Sequence, residues 1–587
     1  MFTLCTASVV ASSASALPTT VAHKVAYHTE KIKSNFDGTL NSLNYAALLS
    51  SASDNDTYTF KDMLHQPDAK NFVQAMMDEL EAHEVRNHWS LMLRSDLPPG
   101  AKTILAIWSF KRKRYPDGRI QKYKARICAH GGMQTWGENY WETYAPVMTW
   151  LSVRTLLILS VLHDLEARSI DFTLAFPQAD LDVDVYMELP PGFDMNGSSG
   201  SHVIKLNKSL YGLCQSSHNW WNLLKSSLET RGYDNQSATD PCVFIGKESV
   251  VLVYVDDCII FSRKNSGISD KLIASLKDGK ENFEFTDEGD LKSYLGVDIT
   301  KRKDGSISVT QPHLIERFIA LVDQENNINI KSTPATKPLL HKDEDGLERK
   351  HSWNYRQAIG MLTYLQGTSR PDISMATHQA ARFCIAPKLS HERAVHRIGR
   401  YLKATKDKGM IFTPNGDKGL ECYVDADFAG SWDKADSGNP EAVLSRTGYV
   451  LMYANCPVLF CSKLQTEIAL STTEAEYIAL SQATREVLPF INLLKEINTV
   501  FPLNLKEPKF HCKVFEDNNS CISLATAQKF SPRTKHIALK YHHFRKFVKD
   551  KTIEIFPINT AEQIADIFTK PLDEAAFIYL RKKLNGW

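Results

Sequence analysis

The sequence predicts an α+β, multidomain fold, on three observations. Its 587 residues exceed what one hydrophobic core holds, so roughly two to four domains are expected. From about residue 416 onward the pattern reads strand, strand, strand, helix, strand, helix, the order of a mixed sheet flanked by helices. Between these, Val250-Val-Leu-Val-Tyr-Val-Asp-Asp-Cys-Ile-Ile-Phe261 runs six apolar or aromatic residues into two adjacent carboxylates and out into four apolar or thiol residues. Two short strand-type runs joined by turn-tolerant residues read as a hairpin with buried arms, Asp256 and Asp257 at its tip.

Composition sets the outer bounds. Hydrophobic residues at 43% and charged residues at 23% are the balance of a soluble globular chain, and a net charge of +1 conceals local basic clusters. Eleven scattered cysteines include no C-x-x-C pair, which argues for reduced, intracellular thiols and against a disulfide framework or zinc ribbon. No run of eighteen apolar residues predicts a membrane span. Residues 1–20 lack a basic leader, which favours a disordered tail over a signal peptide. The Ser-, Asn- and Asp-rich composition extends that disordered lead-in to residue 65.

Taken in order, Phe72, Met76, Leu80 and Val85 fall at helical spacing across 71–89. Ile104-Leu-Ala-Ile-Trp-Ser-Phe110, a Pro116-Asp-Gly118 turn and 120–129 form a second hairpin. Between Lys111 and Arg126 it carries eight Lys/Arg against one Asp, a density that suits phosphate contact. Residues 152–165 are an apolar helix leading into a strand that ends at Asp171-Phe-Thr-Leu-Ala-Phe176. Ser209-Leu-Tyr-Gly-Leu-Cys-Gln215 opens a helix through Trp220 and Trp221, both read as core. The acid hairpin follows, 85 residues beyond Asp171. Then come a helix at 270–276, a hairpin of 294–300 with 307–309, a polar linker at 323–350 and helices over 355–402. The last region has strands at 420–427, 447–453 and 458–462, a helix from 472 to 494, a strand ending at Asp517 and a helix from Asn518. Residues 529–551 again hold eight Lys/Arg against one Asp.

Two like charges on a dry scaffold repel unless a cation sits between them, and Mg²⁺ is the hard cation that suits carboxylates and phosphate oxygens together. Phosphoryl transfer at a two-metal site needs carboxylates converging from different strands on ions roughly 3.5–4 Å apart. Asp171, Asp256 and Asp257 supply such a set. An isolated Asp-Asp pair is more often a hydrated turn; the third acid at a strand end shifts the balance.

The motifs then fall into a known order. They are Tyr123-Lys-Ala-Arg126, Glu142-Thr-Tyr-Ala-Pro-Val147, Asp171-Phe-Thr-Leu-Ala-Phe176, Tyr186-Met-Glu-Leu-Pro-Pro-Gly-Phe193 and Lys208-Ser-Leu-Tyr-Gly-Leu-Cys-Gln215. Tyr254-Val-Asp-Asp257, Arg370-Pro-Asp-Ile373, Tyr423-Val-Asp-Ala-Asp427, Lys535-His-Ile537 and Ala565-Asp-Ile-Phe-Thr-Lys-Pro571 complete the series. Across about 70–580 the chain resembles the reverse transcriptase and ribonuclease H of copia-type LTR retrotransposon Pol polyproteins. The resemblance implies a right-hand polymerase with fingers and palm at 70–322. A linker and helical thumb or connection at 323–415 and a ribonuclease H-like domain at 416–580 would follow.

Carried over by position, Asp171, Asp256 and Asp257 are the polymerase's metal-binding catalytic acids. Lys124 and Arg126 meet the triphosphate. Phe176 is the aromatic gate against a ribose 2′-hydroxyl, with a core aromatic as the bland reading. Gly212 and Gln215 line the nucleotide and template site. In the last domain Asp425, Glu476, Asp517 and Asp566 are the four metal-binding acids, spaced 51, 41 and 49 residues apart, with Glu474 open as an alternative to Glu476. Asp427 is read as a bystander. The resemblance implies two Mg²⁺ per site (or Mn²⁺ in its place), an RNA template, a DNA primer, RNA–DNA hybrid and dNTPs as partners, and no membrane. It implies an intracellular setting, in a cytoplasmic particle or the nucleus. No protease motif or integrase zinc knuckle precedes residue 70, so a polyprotein fragment is expected. Pro177, Ala179, Cys214 and His218 depart from the family pattern. The rival expectation is a decayed or co-opted, non-catalytic nucleic-acid-binding remnant.

Overall fold

The computed structural model describes residues 56–114, 119–192, 200–323, 329–432, 440–505, 510–527, 537 and 539–587. The Pro116-Asp-Gly118 turn, most of the lead-in and much of the basic stretch 529–551 lie outside these. The chain divides into two compact units, 1–143 with 179–219 and 144–178 with 220–587. Among the described residues no helix is long and apolar enough to cross a membrane, and the cysteines are unpaired.

The first unit is built on the predicted amphipathic helix, Ala69–Val85. Phe72, Met76 and Leu80 are buried from it, whereas Val85, its last residue, is 72% exposed. The basic hairpin is Ala106–Arg114 with Ile120–Ala129, and Thr57–Tyr58 adds a third strand. That strand and the helix Phe60–Leu64 correct the disordered lead-in: residues 56–65 are ordered by Phe60 and Met63 packing under the hairpin. A four-stranded sheet, Trp89–Leu93, His202–Lys208, Asp180–Glu188 and Thr103–Ile104 in that order, shares the same core.

The second unit begins with helix Trp150–Leu162, ten of whose thirteen residues are buried, as a helix apolar on all sides must be. It feeds a six-stranded antiparallel sheet ordered Phe285–Asp290, Leu165–Phe172, Asp257–Arg263, Ser249–Tyr254, Val243–Ile245 and Asn235–Gln236. The tryptophan helix starts at Ser216, later than expected at Ser209. Trp220 is buried edge-on against Phe172 at 5.0 Å and Phe283 at 5.8 Å, so it is core as read.

A second sheet runs Ser293–Tyr294, Val297–Lys301, Ile307–Thr310 and Met410–Phe412. Helices Pro312–Val322, Tyr355–Thr368, Ser374–Ala381 and Leu389–Ala404 pack beside it around Phe318, Leu362, Ile398 and Leu402. Here the Arg370-Pro-Asp-Ile373 motif has a structural use. Arg370 and Asp372 are both fully buried and paired at 2.8 Å, and the Tyr401 hydroxyl donates to the same carboxylate at 2.5 Å. A buried pair survives only when its remaining lone pairs and protons are satisfied.

The last sheet is mixed, ordered Cys456–Leu464, Arg446–Tyr453, Leu420–Asp427, Cys512–Glu516 and Ile553–Pro557; the last three strands are parallel. Two features were missed. Ile553–Pro557 is a fifth strand, and helix Thr472–Val500 continues past 494 despite Pro489. The region also extends beyond 580, because helix Glu574–Asn585 buries Phe577 and Leu584 in the core shared with the preceding helices.

Candidate active sites

Asp171 is the penultimate residue of Leu165–Phe172, and strand pairing sets it directly opposite Asp257. Directly opposed side chains in an antiparallel pair have Cβ atoms about 4.5–5.5 Å apart, and like charges there are destabilising. The Phe172 amide donates to the Asp256 carbonyl at 2.8 Å, which fixes the third acid beside the other two. One detail is corrected: Asp257 opens the second strand opposite Tyr254, so the turn proper is Val255 and Asp256. Val255 has φ 52°, an outlier for a β-branched residue. The buried Trp220 indole donates to the Val255 carbonyl at 2.6 Å and braces that conformation.

The charges register on their neighbours. Burial first, then Asp257 and Asp256, pushes the buried Cys258 thiol well up, and burial with the same carboxylates raises Tyr254. The backbone thus brings three acids to the end of one dry sheet, and carboxylates are the donors a hard cation takes. Phe176 is half-buried in the short helix Ala175–Gln178, five residues past Asp171. Gln178 ties that turn down, its amide donating to the Thr173 and Glu284 carbonyls at 2.7 and 2.8 Å.

In the first unit the eight basic residues divide. Arg112 holds Asp68 through two bonds of 2.8 and 2.6 Å and Arg114 holds Asp56 through two of 2.6 and 2.9 Å. The Arg112 guanidinium keeps the Asp68 carboxyl down at about 2. On the opposite face of the hairpin Lys111 stands across from Lys124 and Lys113 across from Lys122, with Arg126 next along. Cross-strand pairing of like charges concentrates positive charge on this face of the hairpin. The Arg126 guanidinium lies over the Tyr211 ring at 4.8 Å.

Gly212 has φ +91°, and a Cβ there would meet the Ala129 carbonyl oxygen at 2.2 Å, so only glycine fits. Gln215 corrects an expectation. It is fully buried, donating to the Asn139 carbonyl at 2.9 Å and accepting from Gln134 at 3.0 Å, so in this conformation it secures the 134–139 loop and does not face a ligand. Cys214 joins the same network, its amide donating to Gln134 at 2.8 Å.

The last domain gathers acids from four separate places. Asp425 is near the end of the first strand, Glu476 on the second turn of the long helix, Asp517 just beyond Cys512–Glu516, and Asp566 opens the helix Asp566–Thr569. One oxygen each from Asp425, Glu476 and Asp517 lies within 4.8 Å of the others. Glu474 is spent elsewhere. As the third residue of its helix it accepts the Leu470 amide at 2.8 Å, while its own amide donates to the Ser471 cap at 3.1 Å. Asp427 stays outside the trio.

The structure adds a fifth acid that the sequence reading missed. Glu516 is fully buried, its Oε1 accepts the Asn518 amide at 3.1 Å, and its Oε2 has no partner; neither has the buried Oε2 of Glu476. Buried carboxylate oxygens without a partner call for one, and a cation is a partner that these acids could share.

Burial and mutual repulsion raise Asp425, Glu476, Glu516 and Asp566. Asp566 is pushed up to about 7 by burial and Asp425. Glu476 rises well above the usual range through burial and the neighbouring Glu516, and Glu516 through burial, Asp425 and Asp517. A carboxyl raised on folding favours the native state below its unfolded value near 4.5, and that contribution is lost as pH climbs through the raised value. Glu516→Gln is therefore expected to melt above wild type in EDTA at pH 8, the difference vanishing toward pH 4; thermal melts across that range check it.

Another cluster, His351, Glu392 and His396, also brings ligand atoms within 4.8 Å. There the carboxylate is already satisfied by Arg349 at 3.2 Å, the Lys350 and His351 amides at 3.3 and 3.2 Å and the His351 ring at 2.9 Å. It anchors a loop to helix Leu389–Ala404.

Residues 87–337 match the reverse transcriptase (RNA-dependent DNA polymerase) family. Over 547 residues the chain is 33% identical to the retrovirus-related Pol polyprotein from transposon TNT 1-94 of Nicotiana tabacum, covering 91% of this chain and 39% of that one. It is 33% identical over 522 residues to that of transposon RE1 of Arabidopsis thaliana, 87% of this chain and 33% of that one. Over most of its length this chain is similar to retrotransposon Pol polyproteins, and within it 87–337 match a reverse transcriptase family. The Ty1-NL2 Gag-Pol polyprotein of Saccharomyces cerevisiae is 27% identical over 520 residues, 84% of this chain and 27% of that one. The chain thus spans about two fifths or less of the length of these Pol relatives. Among solved structures, a foamy viral protease–reverse transcriptase in complex with double-stranded DNA matches at TM-score 0.43 and 12% identity, over 83% of this chain and 69% of that one. That is too slight a likeness to argue from.

Proposed function

We propose that this Pol segment is an RNA-directed DNA polymerase with a second, ribonuclease H site, serving retrotransposon replication. The observation that carries the reading is the strand register that sets Asp171 directly across from Asp257, 86 residues further along the chain, with Asp256 next to it in the turn. Two Mg²⁺ ions held there (or Mn²⁺) would lower the pKa of a primer 3′-hydroxyl and neutralise the departing pyrophosphate. The chain's own part is to hold the acids in place on a dry, braced hairpin. The lysine face with Lys124 and Arg126 is suited to phosphates of the dNTP or the nucleic acid, which it would meet by charge and not by sequence. Gly212 and Gln215 would shape the loop beneath.

Asp425, Glu476, Asp517 and Asp566, joined by Glu516, would hold the ions for hydrolysis of the RNA strand of a hybrid. The partners are then an RNA template, a DNA primer, RNA–DNA hybrid and dNTPs, in an intracellular particle or the nucleus.

Phe176 is assigned as the gate against ribonucleotides. Phe176→Ala is expected to raise rNTP incorporation relative to dNTP by about tenfold or more, since a steric contact of this kind is worth about 1–3 kcal/mol; single-nucleotide insertion kinetics measure it. A core role would lower both rates together.

The whole reading is tested with the wild-type chain, in Mg²⁺, by extension of a DNA primer on an RNA template and by release of labelled fragments from an RNA–DNA hybrid. Binding of both nucleic acids without either reaction would leave the non-catalytic remnant as the correct account.

A further inference from the structure

Lys570 stands among the clustered acids of the last domain. It follows the helix Asp566–Thr569, its amide on the Asp566 carbonyl at 3.2 Å. Its ammonium lies 2.9 Å from Asp566 Oδ1 and 3.7 Å from Asp425 Oδ2. Burial alone would lower its pKa, but Asp425 and Asp566 outweigh burial and raise it, so the ammonium stays charged. The Thr569 hydroxyl donates to the same Asp425 oxygen. Lys570 is 33% exposed, so it enters the pocket from solvent and can withdraw toward it.

The carboxylates therefore divide. Asp425, Glu476 and Asp517 converge on one point, and Asp566 is not part of that convergence. Asp566 and the near side of Asp425 face the lysine. An ammonium and a divalent cation on the same carboxylates repel strongly at such distances, so occupancy of the Asp566 side is exclusive.

We propose that Lys570 is a built-in cation of this pocket, filling the Asp566 side so that the first divalent ion binds on Asp425, Glu476 and Asp517 and a second binds only by displacing the lysine. The inference rests on the ribonuclease H reading of the pocket. It gives the metal-free chain a way to tolerate clustered carboxylates, and it makes the second ion the one whose concentration limits cleavage.

Mn²⁺ titration of the full chain, followed by the EPR signal of free Mn²⁺, tests it. The acid hairpin is the same in every variant, so differences isolate this pocket. Lys570→Gln is expected to bind one additional Mn²⁺, or to bind its weakest pocket ion about tenfold more tightly, as removal of one opposing charge at close range predicts. Lys570→Arg should keep the wild-type isotherm. A Lys570→Gln isotherm equal to or weaker than wild type overturns the proposal. Amine labelling of wild type read by mass spectrometry is independent of any folding defect. Lys570 should label more readily as Mg²⁺ saturates the pocket, and labelling that is unchanged or reduced overturns the proposal. Absence of hybrid cleavage by wild type with these metal results intact would sink the ribonuclease H reading alone.

Discussion

Asp257→Asn is expected to abolish templated primer extension while leaving hybrid cleavage intact. The substitution keeps size and strand pairing and removes one negative charge from the set Asp171, Asp256 and Asp257. Metal stabilisation of developing charge is worth several kcal/mol, so the expected loss in extension rate is roughly a thousandfold or more. Folding should not suffer, because the change relieves a like-charge pair directly across two strands. Measurement is by single-turnover extension on an RNA template, with the melting temperature as control. Extension within a few-fold of wild type would show that the hairpin acids do not carry the reaction.

Glu476→Gln has the converse effect. It should suppress hybrid cleavage by roughly a thousandfold or more while extension continues. Glu476 is buried with an orphaned oxygen, and its carboxyl is held well above the usual range by burial and by Glu516. In the absence of metal its charge is a burden at neutral pH, so the variant should also melt above wild type in EDTA at pH 8. A gain in metal-free stability with a loss of cleavage is the expected trade for a site strained toward its ligand. A folded variant that cleaves normally would remove Glu476 from the chemistry. Glu474→Gln should leave cleavage largely unchanged, because that side chain serves the helix cap.

What the sequence made legible follows from range. The acid hairpin could be read because its strands are adjacent in the chain and its apolar runs are uninterrupted. Helix Ala69–Val85 and the long helix from Thr472 could be read from local periodicity. That Asp171 and the hairpin acids could form one set was legible, but the register of Asp171 opposite Asp257 was not, since nothing local sets a pairing across 86 residues. Ile553–Pro557 was missed because a five-residue strand containing Glu554 and ending in proline carries little strand signal.

Glu516 was passed over for a different reason. Adjacent residues on a strand face opposite ways, so an acid beside Asp517 reads as turned away. The strand ends at Glu516, which frees Asp517 from that alternation. Gln215 was assigned to the ligand on its place in a motif, whereas its burial and two amide bonds give it to a loop. The eight basic residues of the first hairpin looked uniform in sequence. Only the fold pairs Arg112 and Arg114 with acids and leaves the lysines together on the other face.

Everything above depends on distant acids meeting as two separate cation cages. Anomalous scattering from crystals of the full chain soaked in Mn²⁺ measures that directly. The account predicts one set of peaks within ligand reach of Asp171, Asp256 and Asp257, and another on Asp425, Glu476 and Asp517. Ordered side chains with no Mn²⁺ at the hairpin, in the presence of primer, template and nucleotide, would contradict it.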